Sequence, residues 1–212
     1  MATLDLQEQE QVDAFKAWWK DNGRTVLWTL ALVIGGIIGT QAWQSYKVTK
    51  RTEAAMMFSE LMKQAASNDP KRINDAAAAV IDKYGSSAYA PRAALVAAQA
   101  NIQARDAARA KTQLQWVIDH ADEDGLKNVA RLKLASVLLD EKNYADALKL
   151  LDATHADAYT GLYVDLKGDV LNAQGKTEEA RAAYQDAFNR LDAKSMYRSL
   201  IQMKLDALGG AK

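Results

Sequence analysis

The side chains best suited to acid–base or metal chemistry near neutral pH are two histidines, His120 and His155. A histidine acts as a general base only beside a group that orients it, and as a ligand only beside other ligands. Neither stands in such a pattern, and no HExxH spacing occurs. Each falls near the end of a predicted helix, where it reads as a surface or helix-end residue. Asp122-Glu123-Asp124-Gly125 gathers carboxylates but lacks the alternating oxygen ligands of an EF-hand loop, and reads as a polar turn. The pair Gly35-Gly36 lies inside an uncharged run, where it cannot cradle phosphates. Nothing marks a serine as activated. Cysteine is absent, which excludes disulfides, thiol catalysis and cysteine-based metal sites. These residues predict no enzyme, no metal and no cofactor.

What remains is binding, and the elements that would position it are helices. Thr25 to Tyr46 reads TVLWTLALVIGGIIGTQAWQSY, 22 consecutive positions without a charge. Roughly 20 helical residues cross a bilayer core at about 1.5 Å per residue. A cleaved signal peptide is the competing reading, with Thr40-Gln41-Ala42 imitating a small-x-small site. The acidic leader argues against it: Asp5, Glu8, Glu10, Asp13 and Asp21 outnumber Lys16, Lys20 and Arg24. The run therefore predicts an uncleaved transmembrane helix over 25–46. Trp18, Trp19, Trp28, Trp43 and Tyr46 lie at its ends, where amphipathic rings favour the headgroup zone. Ala31, Gly35 and Gly39 stand four apart on one face, a spacing that permits close packing against another helix. In residues 4–20, Val12, Phe15 and Trp19 share a face of a short amphipathic helix that Asp21-Asn22-Gly23 would end, the alternative being an anchored, poorly ordered leader.

Lys and Arg near the crossing do not choose an orientation. Lys16, Lys20 and Arg24 precede it; Lys47, Lys50, Arg51 and Lys63 follow it. Overall charge balances at 27 bases and 27 acids, with no basic stripe that would suggest nucleic acid. Two prolines and eleven glycines leave little room for turn-rich β structure, so the chain is predicted to be all-α.

Residues 47–90 predict a leading helix pair, with Asp69-Pro70 starting its second helix. Over 91–194 the chain repeats itself about three times. A small residue stands at Ala98, Ala135 and Gly168; another stands at Ala110, Ala147 and Ala180; a larger one follows at Leu114, Leu151 and Tyr184. Two antiparallel helices approach closely only where side chains are small, and the larger residue then packs over the crossing. A helical hairpin repeated every 34 or so residues is the tetratricopeptide pattern. Residues 195–212, with Met196, Leu200, Met203 and Leu208, read as a capping helix and tail. The fold expected is one transmembrane helix of residues 25–46 behind a 1–24 segment, followed by an α-solenoid.

In the tetratricopeptide consensus the first helix of each pair lines a concave surface. Carried over by register, that surface is Arg92, Leu95, Gln99 and Ile102; Val129, Leu132, Ser136 and Leu139; Leu162, Asp165, Asp169 and Asn172. Half are Leu, Ile or Val, which would suit apolar segments or a partner helix unless they pack into the neighbouring pair.

The whole arrangement resembles the YfgM family of ancillary SecYEG translocon subunits. Gln11-Val12-Asp13-Ala14-Phe15-Lys16, Asp21-Asn22-Gly23, Gly168-Asp169-Val170-Leu171 and Gln202-Met203-Lys204 carry the resemblance over nearly the full length. It implies a single-pass protein of a bacterial inner membrane, with its N-terminus cytoplasmic and its repeat domain periplasmic. It implies as partners the SecYEG translocon, a membrane-anchored periplasmic chaperone of the peptidyl-prolyl isomerase type, and unfolded secretory clients handed to later chaperones. An anchored scaffold of an envelope-assembly or division complex, or a cytoplasm-facing adaptor, remains open.

Overall fold

A computed structural model of the chain describes residues 2–192 and 194–209, the first six by backbone alone. The last three residues of the predicted tail lie outside the described residues. The chain divides into two units, residues 1–52 and 53–212.

The first unit belongs to helix α1, Ala2–Ala65. Its apolar window has no part buried within the protein. Leu32 is 75% exposed and Trp28 64%, so these side chains find their apolar surroundings outside the protein or not at all. The hydroxyls of Thr29 and Thr40 donate to their own helix, to the Thr25 and Ile37 carbonyls, both at 2.9 Å. That satisfies polar groups a bilayer would leave unpaired. The helix end expected at Asp21-Asn22-Gly23 is absent, and α1 runs through these residues. Two local contacts account for the difference. The Asn22 amide donates to the Trp18 carbonyl at 3.1 Å, and the Trp19 indole lies over the bare Gly23 backbone. A side chain there would stand 3.1 Å from the ring, so glycine serves packing, where a left-handed cap was expected.

In the second unit, the last turns of α1 pair with α2 (Pro70–Tyr84). Leu61 packs with Ile73, Ala77 and Val80, and the Tyr84 hydroxyl donates to Glu53 at 2.9 Å. Three hairpins follow: α3 (Tyr89–Gln103) with α4 (Ala107–His120), α5 (Asp124–Asp140) with α6 (Tyr144–Leu151), and α7 (Thr160–Ala173) with α8 (Thr177–Arg190). A short 3-10 turn, Asp157–Tyr159, leads into α7, and α9 (Met196–Ala207) closes the series. No strand occurs among the described residues. Asp69, Asp106, Asn143 and Ser195 each accept a backbone N–H at a helix start. Each hairpin turns through a left-handed residue: Arg105, Lys142 and Gly175 have φ of 59°, 62° and 78°. Only the third repeat places glycine there.

The small residues sit where the helices cross. Ala98, Ala110, Ala135, Ala147 and Ala180 are fully buried, Gly168 is buried, and Leu114, Leu151 and Tyr184 cover them. Gly168 is the tightest point: a Cβ there would stand 2.5 Å from the Tyr184 ring. Gly168→Ala gains about 1 kcal/mol of helix propensity but forces the ring away at a cost of about 1–3 kcal/mol. The variant is predicted to unfold at lower denaturant than the parent, read from the fluorescence of the full chain in mild detergent. Unfolding at higher denaturant would contradict the packing assigned to this crossing.

Candidate functional site

The first helices α3, α5 and α7 align the residues assigned to a binding face. Much of that face is already engaged. Arg92 donates to Glu123 at 2.8 Å, and Lys133 donates to Gln99 at 2.7 Å, tying α3 to the next pair. Leu95, Ile102, Leu132 and Leu139 are half-buried against the main core. Val129 and Leu162 are also half-buried. Ser136 and Asn172 are exposed, and the Ser136 hydroxyl returns to the Leu132 carbonyl at 3.1 Å.

The third repeat differs most. Lys204 of α9 donates to Asp165 at 2.8 and 3.0 Å and to Asp169 at 2.8 Å. Tyr184 donates to Asp169 at 2.8 Å, and the Lys204 ammonium stands 5.3 Å from the Tyr184 ring centre. Asp165 and Asp169 therefore hold the cap on the stack. Burial raises the Asp165 carboxyl above its ordinary range, against the pull of Lys204. Burial, then the bond to Asp169, pushes the Tyr184 phenol up, so it stays a donor at every physiological pH.

An open groove of about 840 Å³ lies among α4, α5 and α6. Helix α6 has 8 residues, whereas its counterparts α4 and α8 have 14. Beside the last turns of α4, Trp116 lines the groove with Leu134 and Leu138 of α5 and Leu150 of α6. Trp116 is held by stacking on His120, with ring centres 4.5 Å apart and planes at 10°. The register of the repeats pointed at the first helices and missed this groove. A readable signal exists: the apolar spacing of 144–151 stops at Leu151, two turns early. The structure also buries an amide cluster that periodicity did not single out. Asn101, 1% exposed, donates to Asn74 at 2.9 Å and to Gln113 at 2.7 Å, joining α2, α3 and α4.

Both histidines are accounted for by structure. His120 caps α4 against Trp116, and the His155 ring stacks on Tyr163 at 4.0 Å. Tyr163 in turn donates to buried Asn128 at 3.0 Å. No cluster of three His, Asp or Glu residues suited to a metal occurs among the described residues. On α1, Ala31, Gly35 and Gly39 are exposed, and a Cβ at either glycine would meet nothing within 4 Å. Trp18 and Trp19 cluster with Phe15, while Trp43 stacks on Tyr46 at 6.2 Å.

Helical hairpins in series, with small residues at each crossing, define a tetratricopeptide-like protein, and the family model for the tetratricopeptide repeat-like domain matches residues 16–210. A protein of Neisseria gonorrhoeae named ancillary SecYEG translocon subunit is 32% identical over 204 residues, covering 96% of this chain and 98% of its own. Proteins of the same name from Aggregatibacter actinomycetemcomitans and Escherichia coli are each 27% identical. They cover 96% and 95% of this chain, and 98% and 96% of their own lengths. The chain belongs to the family of ancillary SecYEG translocon subunits. No solved structure matches it.

The Lys204 cluster yields a two-part prediction. Lys204→Met leaves two carboxylates facing each other and should cost about 2–4 kcal/mol at pH 7. Asp165→Asn leaves one carboxylate on one ammonium and should cost far less. The raised Asp165 carboxyl favours the folded state below about pH 4, and that contribution is lost as pH rises through the raised value. The stability of Asp165→Asn relative to the parent should therefore improve from pH 4 to pH 7. Denaturant titrations across that range check both parts.

Proposed function

We propose that this chain is a translocon-associated, membrane-anchored docking module. Its N-terminus faces the cytoplasm, and its repeat domain faces the periplasm, where secreted polypeptides emerge. There it takes an apolar helical segment and assists transfer of the new protein to a membrane-anchored chaperone of the peptidyl-prolyl isomerase type. The reading is supported by the relatives' shared name, by the single apolar span and by the repeat fold.

The observation that carries the binding half is the groove beside α6. It is lined mainly by apolar atoms, and it is open along α4, α5 and α6. An amphipathic helical segment laid along it covers those atoms. Anchoring raises the effective concentration of such a segment at the exit of a membrane partner, so weak and reversible contacts suffice. The row of Leu95, Leu132 and Leu139 is the second surface in reach, and its side chains keep part of their area free.

Photo-crosslinkers at Trp116 and Leu150, and separately at Leu95, Leu132 and Leu139, test this in cells carrying the full chain. Crosslinks from Trp116 and Leu150 to translocon subunits, chaperone or nascent secretory proteins are predicted. Crosslinks from Leu95, Leu132 and Leu139 alone would move binding to the first-helix row. Recovery of envelope-synthesis proteins in place of translocon subunits would favour an assembly scaffold. Crosslinks confined to other faces would overturn the docking role.

A further inference from the structure

The leader end of α1 is built differently from the other end of the span. Beyond the span, Lys47 lies over the Trp43 ring at 5.2 Å and Lys50 over the Tyr46 ring at 5.8 Å. Before the span, Lys20 and Arg24 engage no acid and no ring among the described residues, whereas Lys16 is tied to Asp13 at 3.1 Å. Lys16, Lys20 and Arg24 are spaced four apart, so the bases form one stripe of the helix beside the exposed Phe15, Trp18 and Trp19. Asp21 makes no ion pair with either base, so the charge of the stripe is available to an outside anion.

The stripe ends in a notch. Trp19, Gly23, Arg24, Leu27, Trp28 and Ala31 line an open notch of about 360 Å³. Gly23 is what allows the Trp19 indole to lie down over the helix backbone and form one wall. The floor, Leu27 and Ala31, is apolar and belongs to the uncharged run. The rim carries the Arg24 guanidinium and two indoles whose N–H groups donate to no protein acceptor among the described residues. Thr25 begins the uncharged run one residue after Arg24, and Trp19 stands about 9 Å further out at 1.5 Å per residue. Those depths are the headgroup zone of a bilayer whose core the run spans.

We infer that this notch holds the phosphate headgroup of an anionic phospholipid, with Arg24 and Lys20 on the phosphate and an acyl chain along Leu27 and Ala31. Guanidinium and phosphate match as charge-assisted partners, and the indoles bracket the glycerol region. At the far end Lys47 and Lys50 lie over their own rings, and Arg51 stands five residues beyond Tyr46, past the run. Anionic lipid would then collect at the leader end and fix the depth and rotation of the span. The inference rests on the reading of residues 25–46 as a membrane crossing, and the test separates the two.

The probe is the full chain with Trp18, Trp43 and Trp116 replaced by Phe, so that only the notch indoles, Trp19 and Trp28, fluoresce. It is reconstituted in phosphatidylcholine vesicles in which either phosphatidylglycerol or an equal fraction of phosphatidylcholine is brominated on its acyl chains. Brominated phosphatidylglycerol is expected to quench these two indoles with an apparent enrichment of about thirtyfold, the combined effect of two basic side chains at an anionic surface. The double variant Lys20→Gln with Arg24→Gln should abolish the preference, Arg24→Lys should keep most of it, and Lys47→Gln with Lys50→Gln should leave it unchanged. Equal quenching by the two lipids, or a preference that follows Lys47 and Lys50, overturns the lipid site and leaves the span intact. Quenching by neither lipid overturns the site and the span together.

Discussion

The exposed, uncharged run of α1 is the constraint on which everything else depends. Leu27, Leu30, Leu32, Val33, Ile34, Ile37 and Ile38 have no protein neighbours to cover them. Moving seven such side chains out of water is worth on the order of 10 kcal/mol, as much as the whole stability of a typical domain. No contact elsewhere in the chain competes with that term. A helix satisfies its own backbone groups, so the run can enter hydrocarbon without leaving donors or acceptors unpaired. Where the bilayer is, the chain must be.

Beyond the span, the second unit works by a different economy of space. Alanine or glycine at each crossing lets paired helices approach, and Leu114, Leu151 and Tyr184 fill the layer above. Every pair packs chiefly on its neighbours, so a groove on one flank need not loosen the rest. That groove lies among α4, α5 and the eight-residue α6, and Trp116 lines it. At the far end of the series, Lys204 seals α9 onto α7 through Asp165 and Asp169. The same stack therefore contains a closed end and an open flank, and the proposed docking role uses the flank.

Much of this was legible from residue order alone. A run of uncharged residues needs no tertiary knowledge to read, and the alanine spacing of 37 and 33 residues exposes the hairpin period directly. The hidden parts are those set by contacts between distant residues. Asp165 and Asp169 look like binding residues until Lys204, 35 or more positions away, is seen to occupy them. Asp21-Asn22-Gly23 carries the residue types of a helix stop, yet the Trp19 indole over Gly23 and the Asn22 amide on Trp18 keep the helix going. Leu95 and Leu132 sit at the right register for an open face, but the neighbouring pair takes part of their surface. Register names the face a residue points from, whereas burial depends on what arrives opposite.

The proposed function puts the tethered repeat domain on the side of the membrane where secreted chains emerge. Protease digestion tests it most directly, with cells carrying the full chain and an epitope tag ahead of residue 1. In spheroplasts with an intact inner membrane, added protease should destroy the repeat domain and leave a small, tagged, membrane-bound fragment ending shortly after Tyr46. A full-length chain that survives until the inner membrane is lysed would contradict the account.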